Sequence, residues 1–109
     1  MVERCSNGVV VALRGELDIA SVQRAEGELQ RAVADIREGD QFLALDLREL
    51  DFMDSTGLRF ILEAQSRAEA AACRFVVVQG PDAVGRVLRV TRVDSLLDIV
   101  DDPAELATR

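Results

Sequence analysis

The chain has 109 residues, 49% of them hydrophobic and 30% charged, with a net charge of −7. That is one globular domain, residues 1–109, with enough apolar residues for a single core, and it is too acidic, with no basic run, to suit a nucleic-acid backbone. There is no His, and every one of the 13 cationic side chains is Arg. This excludes Ser–His and Cys–His nucleophile pairs, Schiff bases and phosphate-loop lysines, so intrinsic catalysis is not expected.

No apolar run approaches the length that spans a bilayer. The start, Met1-Val2-Glu3-Arg4-Cys5, lacks the basic-then-apolar layout of a signal peptide. A cytoplasmic location without membrane insertion is the expectation. Cys5 and Cys73 stand alone with no CxxC, which suggests neither a disulfide framework nor a zinc site. No metal or cofactor is expected.

Taken in order, Val2 to Cys5 reads as a short strand, and Asn7-Gly8 before Val9-Val10-Val11-Ala12-Leu13 reads as a hairpin turn into a second, antiparallel strand. Gly15 permits a bend near its end. Val22, Ala25, Leu29, Ala32, Val33 and Ile36 then recur at steps of three and four, an amphipathic helix with Asp18 or Ser21 as its cap and Gly39-Asp40 at its end. Phe42 to Leu47 is short and nearly all apolar, which fits a strand buried on both faces. A second helix runs from the polar knot Asp54-Ser55-Thr56-Gly57 to about Cys73, with Leu58, Ile61, Leu62, Ala68 and Ala72 on its apolar face.

Arg74 to Gln79 is another buried strand, stopped by Gly80-Pro81. Pro81-Asp82 opens a short third helix on Val84, Val87 and Leu88, weakened by Gly85. Ser95 to Val100 reads as a turn into an edge strand, and Asp102-Pro103 opens a last helical turn through Leu106. This order predicts an α/β fold with a mixed, mostly parallel sheet of four to five strands, an N-terminal antiparallel hairpin and three to four helices.

The knot lies where a central strand hands over to a helix, and in open α/β sheets ligands dock beyond the carboxyl ends of the strands. Asp54 or Ser55 serves as N-cap. Asp46, inside an apolar strand, reads as a hydrogen-bonded structural acid rather than half of a carboxylate site. Cys73 reads as a packed thiol, and Asp101-Asp102 as a solvated acidic face.

Gly15-Glu16-Leu17-Asp18, Leu45-Asp46-Leu47 and Phe52-Met53-Asp54-Ser55-Thr56-Gly57-Leu58, in this order and separation, resemble the STAS domain in its anti-sigma-factor antagonist form. The resemblance covers nearly the whole chain. It implies a protein that binds, when unphosphorylated, an ATP-binding anti-sigma factor that is also a serine kinase, and so frees a sigma factor. It implies phosphorylation by that kinase on the hydroxyl after the motif Asp, here Ser55, and reversal by a serine phosphatase. Thr56 is the other local hydroxyl.

Asp18 matches the acidic residue near the phosphoacceptor. The partner surface implied is Asp18, Asp54, Ser55, Thr56, Gly57 and Arg59, on a monomer or weak homodimer. Gly57 is expected either to let the partner approach closely or to relax the first helical turn. Two residues depart from the family pattern: Arg59 stands where a small residue is frequent, and Arg92 where Gly is usual. A STAS adaptor subunit of a lipid-trafficking ABC transport complex is the alternative function.

Overall fold

The computed structural model describes residues 1–108. The elements are β1 (Val2–Cys5), β2 (Gly8–Leu17), α1 (Val22–Ala34), β3 (Phe42–Met53), α2 (Ser55–Ala70), β4 (Arg74–Val78), α3 (Asp82–Val90) and β5 (Asp98–Val100), with 3₁₀ segments Val93–Leu96 and Pro103–Thr108. The sheet order is β1-β2-β3-β4-β5. The β1–β2 pair is antiparallel and every other pair is parallel. The expected class, hairpin and helices are therefore all present.

Because each successive parallel strand is added on the same side, right-handed crossovers put α1, α2 and α3 on one face. The alternation of the strands agrees. Val9, Val11, Leu43, Leu45 and Val77 share the main core with the helices, while Val10, Phe42, Ala44, Val76 and Val78 form a second cluster under Leu106 on the opposite face. No helix among the described residues is long and apolar enough to cross a membrane.

The structure moves several boundaries. The hairpin loop is Ser6-Asn7, since Cys5 pairs with Gly8. Gly8 is a strand residue, paired with Cys5 and Phe42, and the Phe42 ring packs 2.6 Å from where its Cβ would lie. Helix α1 ends at Ala34 rather than at Gly39-Asp40. The Asp40 carboxylate accepts the Arg37 N–H at 2.7 Å, which folds that segment into a turn, and Gly39 there has φ +93°.

Helix α2 stops at Ala70, so Ala72 is not on its apolar face. Ala72 takes φ +60° and the Cys73 N–H donates to the Ala68 carbonyl at 2.9 Å, the closure usually built on Gly. Arg92, the other departure noted above, also sits in the left-handed region, at φ +63°.

The largest change is to β3, which runs to Met53 instead of ending at Leu47. Its register against β2 slips between Ala12 and Arg14 and again between Gly15 and Glu16, each time adding one residue on β3. The slips put Leu47, Leu50 and Met53 on the same buried side at steps of three. That spacing, with Arg48, Glu49 and Asp51 between, hides the strand from a period-two reading.

Two acids hold the frame. Asp40 receives the Arg4 guanidinium on both oxygens at 2.7 and 2.8 Å. This pairing, with the Arg37 N–H, holds its carboxyl below the ordinary range. Burial pushes Asp46 upward, but the Arg48 guanidinium and backbone N–H outweigh it and leave that carboxyl lowered as well. Asp46 is thus a paired structural acid. Cys5 and Cys73 are both free thiols, and burial followed by the Asp40 charge raises Cys73.

Candidate functional site

The site is built where β2 and β3 end side by side. Leu17 and Met53 are paired, and the Asp54 N–H points at the Leu17 carbonyl at 3.5 Å. Asp54 has extended backbone and caps α2: its Oδ1 accepts the Thr56 N–H at 2.9 Å and the Gly57 N–H at 3.3 Å. Of the two residues considered for this cap, Asp54 takes the role. Ser55 is released to be the first residue of the helix.

Ser55 is exposed, and its hydroxyl makes no hydrogen bond among the described residues. Thr56 is half-buried. Gly57 is buried, with the Leu17 carbonyl and the Met53 side chain closing over the place of its Cβ. The close approach that Gly57 allows is therefore internal, between α2 and the end of β2. Arg59 is exposed and enters no ion pair among the described residues.

Asp18 lies across the strand ends from this turn. Its Oδ1 accepts the N–H groups of Ala20 and Ser21 at 3.0 and 3.1 Å. Ser21 holds the N-cap position of α1 without capping it. Its Oγ accepts the Asp18 N–H and donates to the Glu16 carbonyl at 2.7 Å. Asp18 is thus half-buried and shapes the loop into α1. A cleft of about 280 Å³ beside it includes Glu16, Asp18, Ser21 and Arg24, but not Ser55.

The structure brings Asp18, Asp54, Ser55, Thr56 and Arg59 to one end of the sheet, with Gly57 beneath them. It adds two residues that the sequence reading passed over. Ile19 is 80% exposed and Phe52 50% exposed, the latter paired in register with Glu16. An apolar residue directly after Asp18 with no place in the helix repeat was the available signal for Ile19. Phe52 sits in the slipped part of β3, where alternation gives no guidance.

The arrangement is an exposed hydroxyl between a capped helix and an acidic, hydrogen-bonded loop. A family model described as "Mlab, STAS domain" matches residues 1–100. The chain belongs to the STAS domain family. Three proteins of known structure are similar to this STAS domain in fold. One is an anti-sigma factor antagonist from Mycobacterium paratuberculosis, at 24% identity and TM-score 0.85 over 99% of this chain and 89% of that one. A second is a putative anti-sigma factor antagonist from Thermotoga maritima, at 20% and 0.84 over 99% and 91%.

The third is the anti-sigma factor antagonist SpoIIAA. Its unphosphorylated form gives 21% identity and TM-score 0.75 over 97% of this chain and 91% of that one. Its phosphorylated form, from Bacillus, gives 20% and 0.69 over 99% and 96%.

Proposed function

We propose that this STAS domain is an anti-sigma factor antagonist working by partner switching in the cytoplasm. Unphosphorylated, it binds an ATP-binding anti-sigma factor that is also a serine kinase, and the sigma factor is released. The kinase transfers the γ-phosphoryl group of ATP to Ser55 Oγ. The bond from Pγ to the ADP oxygen breaks, the Oγ–P bond forms, ADP leaves, and the hydroxyl proton passes to a base on the kinase. A serine phosphatase hydrolyses the ester and restores the binding form.

The observation that carries this reading is the exposed, unbonded hydroxyl of Ser55, set at the start of α2 by a cap that belongs to its neighbour Asp54. Exposed Ile19 and Phe52 supply apolar surface at the same end, as the centre of a docking patch requires. A phosphate adds about −1.5 to −2 charges at neutral pH, beside Asp18 and Asp54. A partner fitted to a neutral hydroxyl then meets bulk and repulsion. Spoiling one buried polar contact costs roughly 2–5 kcal/mol at an interface, about tens to thousands of fold in affinity.

The test is to incubate the chain with ATP and the candidate anti-sigma kinases of its own genome, map the phosphosite, and measure binding of wild type, Ser55→Ala and Ser55→Asp. Phosphate on Ser55 alone, with binding lost in Ser55→Asp at an unchanged melting temperature, is the expected result. No modification of Ser55, or full binding by Ser55→Asp, would overturn the reading.

A second reading compatible with the STAS fold is an adaptor subunit of a lipid-trafficking ABC transport complex. Co-purification separates the two. A sigma-regulating kinase supports the first, and the ATPase subunit of a transporter supports the second.

A further inference from the structure

We propose that Arg59 is the built-in counter-ion of a phosphate on Ser55, drawing the modified side chain down along α2 and prolonging the switched-off state. This rests on the phosphoacceptor reading of Ser55 given above.

Both residues belong to α2, which spans Ser55–Ala70, and they stand four apart on one exposed side of it. Side chains at that spacing begin about 5–6 Å apart at their Cβ atoms, and an anion four residues before a cation is the favourable order. In the unmodified protein neither has a partner among the described residues. Ser55 Oγ makes no hydrogen bond, and Arg59, like Arg24, Arg31, Arg67, Arg86, Arg89 and Arg92, forms no ion pair; it is the one of these that stands four residues after Ser55.

The acids that flank Arg59 in sequence form no ion pair with it among the described residues. Oδ1 of Asp54 is turned onto the N–H groups of Thr56 and Gly57, and Glu63, one turn further along, forms no ion pair with it. What sets Arg59 apart is its place: an exposed guanidinium one turn along α2 from an exposed, unbonded hydroxyl is within reach of an anion on that hydroxyl. A phosphate supplies three acceptor oxygens, and the planar guanidinium meets two of them at once.

The unphosphorylated state bears the opposite balance. An unpaired cation close to the positive end of a helix is disfavoured by the peptide dipoles, and a phosphate on Ser55 reverses the sign of that local field. The paired phosphate is more fully ionised at neutral pH than an unpaired one and lies against α2, where a hydrolase must first displace Arg59. The residue thus acts on the lifetime of the modification and not on the phosphoryl transfer itself.

The test uses the full chain with phosphoserine inserted genetically at position 55, so that no kinase is needed, and follows the phosphate by ³¹P NMR titration. Wild type is compared with Arg59→Gln, Arg59→Lys and a control further along the helix, Arg67→Gln. On the scale of exposed charge pairs, the second phosphate pKa is expected about half a unit lower in wild type than in Arg59→Gln. Arg59→Lys should keep part of the difference, Arg67→Gln all of it, and about 1 M salt should remove most of it.

Identical titration curves for wild type and Arg59→Gln overturn the proposal, as does an equal change in Arg67→Gln. Melting of the unmodified variants confirms that each is folded. Because the phosphate is installed directly, such a failure leaves the phosphoacceptor reading standing. Conversely, a Ser55 that no kinase modifies sinks that reading without altering these curves.

Discussion

The carbonyl oxygen of Leu17 lies 2.6 Å from where a Cβ on Gly57 would stand, so the start of α2 rests directly on the end of β2. The Met53 side chain closes the same space at 2.5 Å. Methionine can swing aside, but a backbone carbonyl at a strand end cannot. Gly57→Ala is therefore expected to destabilise the domain by about 1–3 kcal/mol, the usual cost of forcing atoms into a filled core. Urea melts measure it, and a variant as stable as wild type would show that α2 can lift off β2 freely.

Asp54 carries the cap, and Ser55 does not. Asp54→Ala should cost about 1 kcal/mol, Asp54→Asn much less, and Ser55→Ala close to nothing. Thermal unfolding of the three side by side checks the order. A Ser55→Ala loss as large as that of Asp54→Ala would return the serine to a structural role and weaken its case as a free hydroxyl.

Arg92 at φ +63° and Ala72 at φ +60° occupy a backbone region that side chains with a Cβ enter at a cost of roughly 1–2 kcal/mol. Glycine removes that cost and returns part of it through the greater freedom of the unfolded chain. Arg92→Gly and Ala72→Gly are each expected to stabilise the domain by up to about 1 kcal/mol. The gains should add, because the two sit after different helices. A lower denaturation midpoint for either variant would contradict the assignment.

Acid should unfold the domain through its lowered carboxyls. Asp40, held down by the Arg4 guanidinium, binds a proton more readily in the unfolded chain than in the native one. Its contribution is complete above the ordinary carboxyl range, about pH 4, and is lost as pH falls through its depressed native value. Asp46 behaves likewise through Arg48. Asp40→Asn should be less stable than wild type at pH 7, and the two melting curves should converge below about pH 4. A gap that stays constant with pH would assign the loss to packing rather than to the ion pair.

Where one face of an element is buried and the backbone is regular, the sequence showed it plainly. The α1 repeat of Ala25, Leu29 and Ala32 was of this kind; the strands at Phe42 and Arg74, buried on both faces, were legible as unbroken apolar runs, and the knot with its candidate serine as the polar break after one of them. The second half of β3 was not legible, because two slips against β2 change which side Leu50 and Met53 face, and slips are a property of the pair of strands. The end of α1 was misplaced because Asp40 answers to Arg4, thirty-six residues away. The exposed sides of Ile19 and Phe52 followed from no local pattern. Gly57 looked like an opening for a visitor, but the neighbour it admits is Leu17.

Residue order alone therefore determined the class of fold, the place of the strand-to-helix turn, the absence of any His or Lys chemistry, and the few hydroxyls that a partner could mark. These follow from short-range patterns of apolar spacing and side-chain type. Only the three-dimensional structure decided that Asp54 holds the helix while Ser55 stays free, that Gly57 faces inward, and that Arg59 has no ion-pair partner among the described residues. The cap turns on which of two adjacent side chains the local backbone aims at the free N–H groups, and the Gly57 contact on how α2 seats against the end of β2.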